Sequence, residues 1–326
     1  MKMLLMSVLM LTSLSSNVSS QNKSGLINNT NVQHLFSSDF DKKYSCYEYE
    51  RGYEIVDDST GNVIEFSPDA PSPYRNLKSN VLIYDGPMSY DSKNNLTKDE
   101  LYDKGKKAAR SNVEVKHVLA NFSYNYDTYI DNYQILSELS GFQRNDGTGK
   151  PYNKDGTCGY LCAAMILYYS KYQFNNGFVA DSYIETYEGK KRFKAEFHDC
   201  LVNLGLEIGK KYSTDAFDIK SVMTEYCSRI GIKANHFAML LSTVANINMC
   251  IQDNKPIALF GNFVSPADGK KVNHAVTCYG TRDEPLGQGQ TNRYFIVNFG
   301  WTSYSHVYLL DNLFRNPVDS MYNMNY

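Results

Sequence analysis

The sequence has 326 residues, of which 42% are hydrophobic and 21% are charged, and its net charge at pH 7 is −2. A chain of this size can bury the core of one large domain or of two smaller ones. The nearly balanced charge argues against nucleic acid as a partner, because no basic field is present to attract phosphates. The seven cysteines include no Cys-x-x-Cys pair and no spacing typical of zinc ligands, and their pairing stays open.

Residues 1–20 are typical of a secretory signal peptide. Met1-Lys2 gives a short basic start, an apolar run extends from Leu4 to Leu14, and small polar residues follow. The apolar run is too short to cross a bilayer, which takes ~20 residues, and no later run is long and uncharged enough either. We therefore expect a secreted, extracellular protein without a membrane span.

Residues 21–130 contain strand and turn signals but no motif that carries chemistry. The alternation of residues 53–66 around a turn predicts a β-hairpin, and residues 81–84 resemble a short strand. Thr97–Glu100 forms a capping-box pattern that predicts the start of a short polar helix. The Asn- and Ser-rich start, to about residue 40, is expected to be disordered or loosely attached.

Residues 131–326 form the second part of the chain, in which helical patterns come first and strand patterns last. Helical spacing is found at about 158–172, 193–204, 216–229 and 243–253, and strand-like runs occur at 255–261, 274–280, 293–298 and 306–311. This segregation predicts an α+β fold in which helices pack on an antiparallel sheet. Thr214 or Asp215 is expected to cap the third of these helices, and Gly231 to end it.

Cys158 is the first candidate catalytic residue. A turn of small residues, Asp155-Gly156-Thr157, places it at the first position of an apolar helix. A thiol there meets unpaired backbone N–H groups and the positive end of the helix dipole, which favour the nucleophilic thiolate. Cys162 is a rival nucleophile one turn later on the same face. It would require a later helix start that removes Leu161 from the apolar stripe, so Cys158 is favoured.

Two later residues supply the partners that a catalytic thiol needs. His274 opens a strand after a polar loop, where an imidazole can take the thiol proton and later pass it to a leaving amine. Asn298 ends the apolar strand Tyr294–Val297, and its carboxamide could orient the imidazole ring. Trp301 lies three residues further on and could shield that hydrogen bond from water.

The oxyanion of an acyl-transfer reaction needs hydrogen-bond donors. The backbone N–H of Cys158 at the helix start is one candidate. The side chain of Gln143 in the preceding loop is the second candidate, with Asn153 as the alternative. The remaining histidines fit the chemistry less well, and His198 is expected to lie on the surface of its helix.

The order glutamine, cysteine, histidine, asparagine along the chain resembles that of the papain-like cysteine peptidases. The similarity is greatest to the bacterial streptopain-like and C39-like cysteine peptidases. Cys158-Gly159 leading into Ala163–Tyr169 resembles the Cys-Gly-Pro…Ala-Met…Tyr-Tyr helix of the C39-like enzymes, with Tyr160 in place of the proline. The resemblance implies that Gly159, the residue after Cys158, supports this nucleophile.

Two further segments resemble the streptopain-like enzymes. His274-Ala275-Val276, followed after a linker by Tyr294–Trp301, is similar to their His-Ala…Phe-x-x-x-Asn-Trp-Gly-Trp segment, with Phe299 at one aromatic position. Gln143 with Pro151-Tyr152-Asn153 resembles their Gln…Pro-Tyr-Asn loop. The loop from Gln143 to the cysteine is longer than in papain.

The resemblance covers about residues 132–313 and implies a papain-like fold, with the nucleophile helix packed on a C-terminal antiparallel sheet. It implies hydrolysis of peptide bonds in a peptide or protein substrate, without a metal or an organic cofactor. Cys158 would form a thioester acyl-enzyme, His274 would act as general base and acid, and Asn298 would orient His274.

The role of residues 21–130 has three interpretations. The segment has the length of the inhibitory propeptides that such enzymes often carry, which would make the protein a zymogen. The alternatives are an accessory domain retained in the mature enzyme and an N-terminal extension of the catalytic fold. Two other functions stay open, namely transglutaminase-like acyl transfer on the same fold and a secreted binding or adhesion protein without activity. The sequence gives neither the substrate preference nor the oligomeric state.

Overall fold

The computed structural model describes residues 31–38, 40, 43–77, 81–92, 113–139, 142, 156–174, 177–264, 271–301, 303–313 and 318–325. The helices in these ranges are α1 (Gln134–Ser137), α2 (Cys158–Phe174), α3 (Ala195–Glu207), α4 (Ala216–Arg229) and α5 (Val244–Gln252). The strands are β1 (Asn31–Phe36), β2 (Lys43–Glu48), β3 (Tyr53–Asp57), β4 (Val63–Ser67), β5 (Leu82–Tyr84), β6 (Tyr90–Ser92), β7 (Asp127–Tyr129), β8 (Ile184–Tyr187), β9 (Lys190–Phe193), β10 (Asn235–Ser242), β11 (Ile257–Val264), β12 (Lys271–Gly287), β13 (Gln290–Asn298), β14 (Val307–Leu310) and β15 (Val318–Asn325). The predicted signal peptide at residues 1–20 and the predicted helix start at 97–100 lie outside the described residues.

Thirteen of the strands in the described ranges form one large sheet. Twelve of them follow the order β10-β15-β11-β12-β13-β14-β4-β3-β2-β1-β5-β6, and β7 pairs with β12. Neighbouring strands run antiparallel, except that β1 and β5 are parallel. Strands β8 and β9 form a separate hairpin. The protein is therefore a mixed α and β structure built on a large, mainly antiparallel sheet.

The strands of residues 31–92 continue the sheet that the C-terminal strands form. The hairpin predicted for residues 53–66 is confirmed, since β3 and β4 pair antiparallel. Strand β4 then pairs with β14, where the ring of Phe66 stacks on that of Tyr308 with centroids 4.3 Å apart. The hydroxyl of Tyr294 on β13 also donates to the carbonyl oxygen of Val63 at 2.8 Å. Packed aromatic rings join the two parts of the sheet, so the junction belongs to the core.

Helix α2 lies between the sheet and two other helices. It contacts strands β11 and β12 and helices α3 and α4. Every residue from Gly159 to Ser170 is buried, because the helix has neighbours on all sides. This central position explains why the helix is apolar on all of its faces.

Side-chain caps fix the starts of two helices at positions close to those predicted. Asp215 caps α4, with its Oδ1 accepting from the backbone N–H groups of Phe217 and Asp218 at 2.9 Å each. Thr243 caps α5 in a capping box with Asn246. Among the helices within the described ranges, none is both long and apolar enough to span a bilayer.

Several strands differ from the sequence-based expectation. Strand β12 runs over 17 residues with a bulge between Cys278 and Gly280, where a strand of seven residues was expected. Strands β1, β2, β6, β7, β8, β9, β10 and β15 were not predicted. The expectation of disorder to about residue 40 is wrong for β1, because Asn31–Phe36 pairs with β2 and β5 in the large sheet. β15 pairs with β10 on one side and with β11 on the other, so residues distant in sequence complete the sheet.

Candidate active site

The turn before α2 places the Cys158 thiol at the start of the helix, where the sequence predicts it. Gly156 has a φ of 88°, a left-handed conformation that a glycine adopts without strain. The Leu161 N–H donates to the Thr157 carbonyl oxygen at 3.2 Å and closes the first turn. The half-buried thiol therefore lies at the positive end of the helix dipole.

Two opposing effects set the protonation of this thiol. Burial is the larger effect and raises the pKa of Cys158 above its usual value. Hydrogen bonds from the backbone N–H of Ala275 and from the first turn of the helix lower the same pKa. The helix terminus supplies the donors that the sequence predicts, but burial outweighs them and the resting thiol is protonated at neutral pH.

His274 lies on β12, opposite Gly261 of the neighbouring strand β11. The next residue, Ala275, is the one whose N–H bonds to the Cys158 thiol, so β12 brings the imidazole to the start of α2. Burial lowers the pKa of His274 to about 4. At neutral pH the ring is therefore uncharged and able to accept a proton.

Cys158 and His274 line the same cavity, which has a volume of about 490 Å³. The loop between α3 and α4, the middle of strand β11 and the start of strand β15 form its other walls. Gly156, Gly209 and Gly261 are among the lining residues, and their lack of side chains leaves space beside the thiol. The cavity can accept a ligand that reaches both the sulfur and the ring.

The loop between α3 and α4, residues 209–215, is called the cleft loop here. The hydroxyl of Tyr160 on α2 donates to the carbonyl oxygen of Lys211 at 2.7 Å. The Lys210 ammonium lies 2.9 Å from the Asp218 carboxylate at the start of α4. These contacts attach the cleft loop to α2 and to α4.

Asn298 is fully buried at the end of β13, and backbone groups engage its carboxamide. Its Nδ2 donates to the carbonyl oxygens of Leu136 at 2.7 Å and Leu139 at 2.8 Å. Its Oδ1 accepts from the Gly300 N–H at 2.6 Å. The side chain thereby connects the end of α1 and the residues after it to the turn that follows β13. The predicted hydrogen bond between Asn298 and His274 stays a prediction.

The turn after Asn298 packs directly on the nucleophile helix. Gly300 has a φ of 77°, and a Cβ at this position would collide with the side chain of Leu161 on α2. The Trp301 ring makes edge contacts with Phe299 and with Tyr90 of strand β6, at centroid distances of 6.0 and 6.3 Å. The tryptophan therefore connects the candidate site to the N-terminal strands.

The rival thiol and a further histidine occupy different positions. Cys162 is 1% exposed, and burial raises the pKa of its thiol. The expectation that His198 lies on the surface is wrong, because its side chain is buried and Nε2 lies 3.4 Å from the Thr157 carbonyl oxygen. Leu201 and Val202, three and four residues later, form the apolar face that His198 shares, and this spacing was the available signal.

Gln143 and Asn153 lie outside the described residues, so the choice of a side-chain oxyanion donor stays a prediction. The backbone N–H of Cys158, the other predicted donor, lies at the start of α2. No group of three His, Cys, Asp or Glu side chains suited to a metal ion occurs in the described part of the chain.

Comparison with known proteins gives distant similarity to solved structures. No protein-family model and no curated protein matches the chain. The fold is similar to a solved structure described as "Crystal structure of an putative C39-like peptidase from Bacillus anthracis", with 11% sequence identity and a TM-score of 0.32. The match covers 60% of this chain and 96% of that chain. A similarity of this size assigns neither a family nor an activity.

Proposed function

We propose that the protein is a cysteine peptidase with a papain-like catalytic fold. The observation that supports this most is the shared cavity of Cys158 and His274, in which the residue after the histidine donates its N–H to the thiol. A helix-terminal thiol and a neutral imidazole in one cavity suit nucleophilic attack on an acyl carbon.

The proposed reaction starts from a neutral thiol and a neutral imidazole. His274 accepts the thiol proton as the Cys158 sulfur attacks the carbonyl carbon of the substrate. The backbone N–H of Cys158, with Gln143 as the proposed second donor, stabilises the oxyanion. His274 then donates the proton to the departing amine, which leaves a thioester. His274 deprotonates a water molecule as it attacks the thioester carbon. The carbon–sulfur bond then breaks and His274 returns the proton to the Cys158 sulfur, which releases the acid product and restores the thiol.

Asn298 is proposed to orient His274 during this reaction. Three backbone groups bind its carboxamide in the free protein, so a direct bond requires the second lone pair of Oδ1 or the release of one donor bond. Catalytic hydrogen bonds often form only in the substrate complex. Gly159 and Trp301 support the site by packing at the helix start and beside the turn after Asn298.

The N-terminal region is proposed to remain in the mature enzyme as an accessory part of the sheet. Its removal would separate β4 from β14 and expose the aromatic face around Phe66. Export through the predicted signal peptide is part of the same proposal. N-terminal sequencing of the secreted active protein tests both points. We expect a start near Gln21, whereas a start near residue 131 would support a removed inhibitory propeptide.

A covalent probe tests the nucleophile directly. The reduced protein is incubated with an epoxide inhibitor of thiol enzymes, and mass spectrometry identifies the labelled residue. We expect label on Cys158, loss of labelling in Cys158→Ala, and normal labelling in Cys162→Ala. Cys200→Ala is the matched control, because Cys200 is also half-buried but lies outside the Cys158 cavity.

Two outcomes of this experiment contradict the proposal. The first is label on another cysteine with Cys158 unmodified, and the second is no labelling of the reduced protein. The second outcome favours the binding or adhesion function. Incorporation of a primary amine into a glutamine-containing substrate, without hydrolysis, would instead favour acyl transfer.

A further inference from the structure

The buried imidazole of His198 contacts the peptide group that joins Thr157 to Cys158. His198 lies on helix α3 and is 2% exposed, and its Nε2 is 3.4 Å from the Thr157 carbonyl oxygen. A carbonyl oxygen only accepts hydrogen bonds, so this contact requires a proton on Nε2. The bond is at the long end of the usual range in the free protein. Helix α3 therefore reaches the turn that places the candidate nucleophile at the start of α2.

The surroundings of His198 favour an uncharged ring that donates from Nε2. Burial is the largest effect on the pKa of His198 and lowers it below its usual value. The bond to Thr157 and the Asp199 carboxylate oppose this effect. That carboxylate is 3.9 Å from Nδ1, beyond hydrogen-bond distance, and its side chain is 59% exposed. The imidazole therefore serves as a fixed donor to Thr157 rather than as a second proton carrier.

The carbonyl and the N–H of the Thr157–Cys158 peptide group point in opposite directions, because the group is planar and trans. The Thr157 carbonyl oxygen points into α2, where it accepts the Leu161 N–H at 3.2 Å. The Cys158 N–H then points out of the helix start, where it has no partner within the helix. This N–H also lies beside the Cys158 sulfur, since it helps to lower the pKa of the thiol. A donor on the Thr157 oxygen thereby fixes the direction of the proposed oxyanion donor.

We propose that His198 is a positioning residue, which holds the Thr157–Cys158 peptide group so that the Cys158 N–H points at the oxyanion of the reaction. A second hydrogen bond on the Thr157 oxygen also polarises the amide and strengthens its N–H as a donor. This proposal rests on the proposed peptidase function, since the oxyanion forms when Cys158 attacks a peptide carbonyl. The imidazole acts through this peptide group and takes no part in the proton transfer, which His274 performs.

The test compares two variants of His198. His198→Leu removes the donor and keeps an apolar side chain of similar size, whereas His198→Gln keeps an N–H group that can reach the Thr157 oxygen. Both kcat and KM are measured on a peptide that the wild type cleaves. The oxyanion forms only during the reaction, so kcat is expected to fall about 10-fold in His198→Leu while KM stays within about 2-fold. His198→Gln is expected to keep kcat within about 3-fold of the wild type.

Two further measurements separate this role from a general effect on the thiol or on folding. Alkylation of Cys158 by iodoacetamide displaces iodide from a saturated carbon and forms no oxyanion. Its rate, followed by mass spectrometry, is therefore expected to be the same in the wild type and in His198→Leu. Nitrogen-15 NMR of the wild-type imidazole is expected to show a proton on Nε2 at pH 7. The NMR result does not depend on whether either variant folds.

Four results would overturn the proposal for His198. They are a wild-type kcat in His198→Leu, an equal loss of kcat in His198→Gln, slower alkylation of Cys158 in His198→Leu, and a wild-type ring without a proton on Nε2. A wild-type protein that cleaves no peptide contradicts the peptidase function itself. Normal cleavage by His198→Leu contradicts the role of His198 alone.

Discussion

At the scale of single residues, burial decides the charge of the two proposed catalytic groups. It raises the pKa of the Cys158 thiol and lowers that of the His274 imidazole to about 4. Both effects disfavour a thiolate–imidazolium pair in the free protein. The N–H groups at the start of α2 then act mainly on the charge that develops when the proton moves during attack.

The pH dependence of activity follows from these two shifts. Protonated His274 cannot accept the thiol proton, so kcat/KM is expected to fall as the pH drops through about 4 rather than through 6.5. The raised pKa of Cys158 keeps the thiol protonated well into the alkaline range, so the profile is broad. The measurement is kcat/KM from pH 3 to 10, and an acid limb centred near the ordinary histidine pKa would contradict this expectation.

Gly300 gives a second prediction at this scale. A side chain there meets both the left-handed backbone, with its φ of 77°, and the Leu161 side chain. Gly300→Ala is expected to lower the free energy of unfolding by ~2–4 kcal/mol. Gly289→Ala is the matched control, since Gly289 has a φ of 76° and open space around it, and it should cost only ~1–2 kcal/mol. Equal losses in urea unfolding would show that the contact with α2 contributes nothing.

At the scale of elements, strand β4 carries a carboxylate inside the N-terminal part of the sheet. Glu65 is fully buried, and its oxygens accept the hydroxyls of Tyr53 and Tyr90 at 2.6 Å and of Tyr84 at 2.9 Å. Burial raises the pKa of Glu65 to about 7 in spite of these three bonds. The cluster connects strands β3, β4, β5 and β6 around one ionisable group.

Stability should therefore depend on pH through Glu65. Its pKa is raised from 4.5 in the unfolded chain to about 7 in the folded one, so its contribution is greatest below pH 4.5. As the pH rises from 4.5 through about 7, the free energy of unfolding falls by roughly 3 kcal/mol because this contribution is lost. Gln at this position has no carboxyl proton to lose and stays neutral, so the stability difference between wild type and Glu65→Gln should change with pH by that amount. A constant difference in urea unfolding between pH 4.5 and 8 would refute this.

A buried ion pair joins β7 to β12 and gives a further prediction. The Arg282 side chain is fully buried, and its Nη1 donates to Asp127 Oδ1 at 2.8 Å. Arg282→Met leaves the Asp127 carboxylate buried without its charged partner, which is expected to cost about 3–5 kcal/mol in urea unfolding. The exposed pair of Arg293 and Asp283 is the control, because Arg293→Met should cost less than about 1 kcal/mol. Similar losses in both variants would contradict the importance of burial here.

The sequence predicts those elements whose signals are local. Helix α4 follows from the Asp215 cap, and the hairpin of β3 and β4 follows from alternation around a turn. Strand β15 carries no such signal of its pairing, because its partners β10 and β11 lie far back in the chain. The pairing of β4 with β14 joins residues about 240 positions apart and was beyond any local pattern.

Local sequence signals likewise predict only part of the candidate site. The type and order of Cys158 and His274 indicated that they belong together, and both line one cavity. The dominant effect of burial on their pKa values could not be read from residue types, because it depends on tertiary packing. Thr214 was noted only as a possible helix cap, whereas in the structure it lines the cavity beside Cys158.

At the scale of the whole molecule, one sheet links the N-terminal strands to the strands that carry His274 and Asn298. The aromatic contacts of Trp301 with Tyr90 and of Tyr304 with Tyr53 extend this link to the turn beside α2. A change in the N-terminal strands is therefore able to reach the candidate site through packed rings. This continuity is the physical reason to expect residues 31–92 in the active protein.

The most direct test of the proposed function is a map of the products formed from a peptide library by the full, reduced protein. The wild type and Cys162→Ala are expected to cleave the same peptide bonds, with mass spectrometry identifying the new termini. Cys158→Ala and His274→Ala are expected to leave the library intact, because each removes one half of the proposed proton-transfer pair. Unchanged cleavage by Cys158→Ala, or an intact library after incubation with the wild type, would contradict the account.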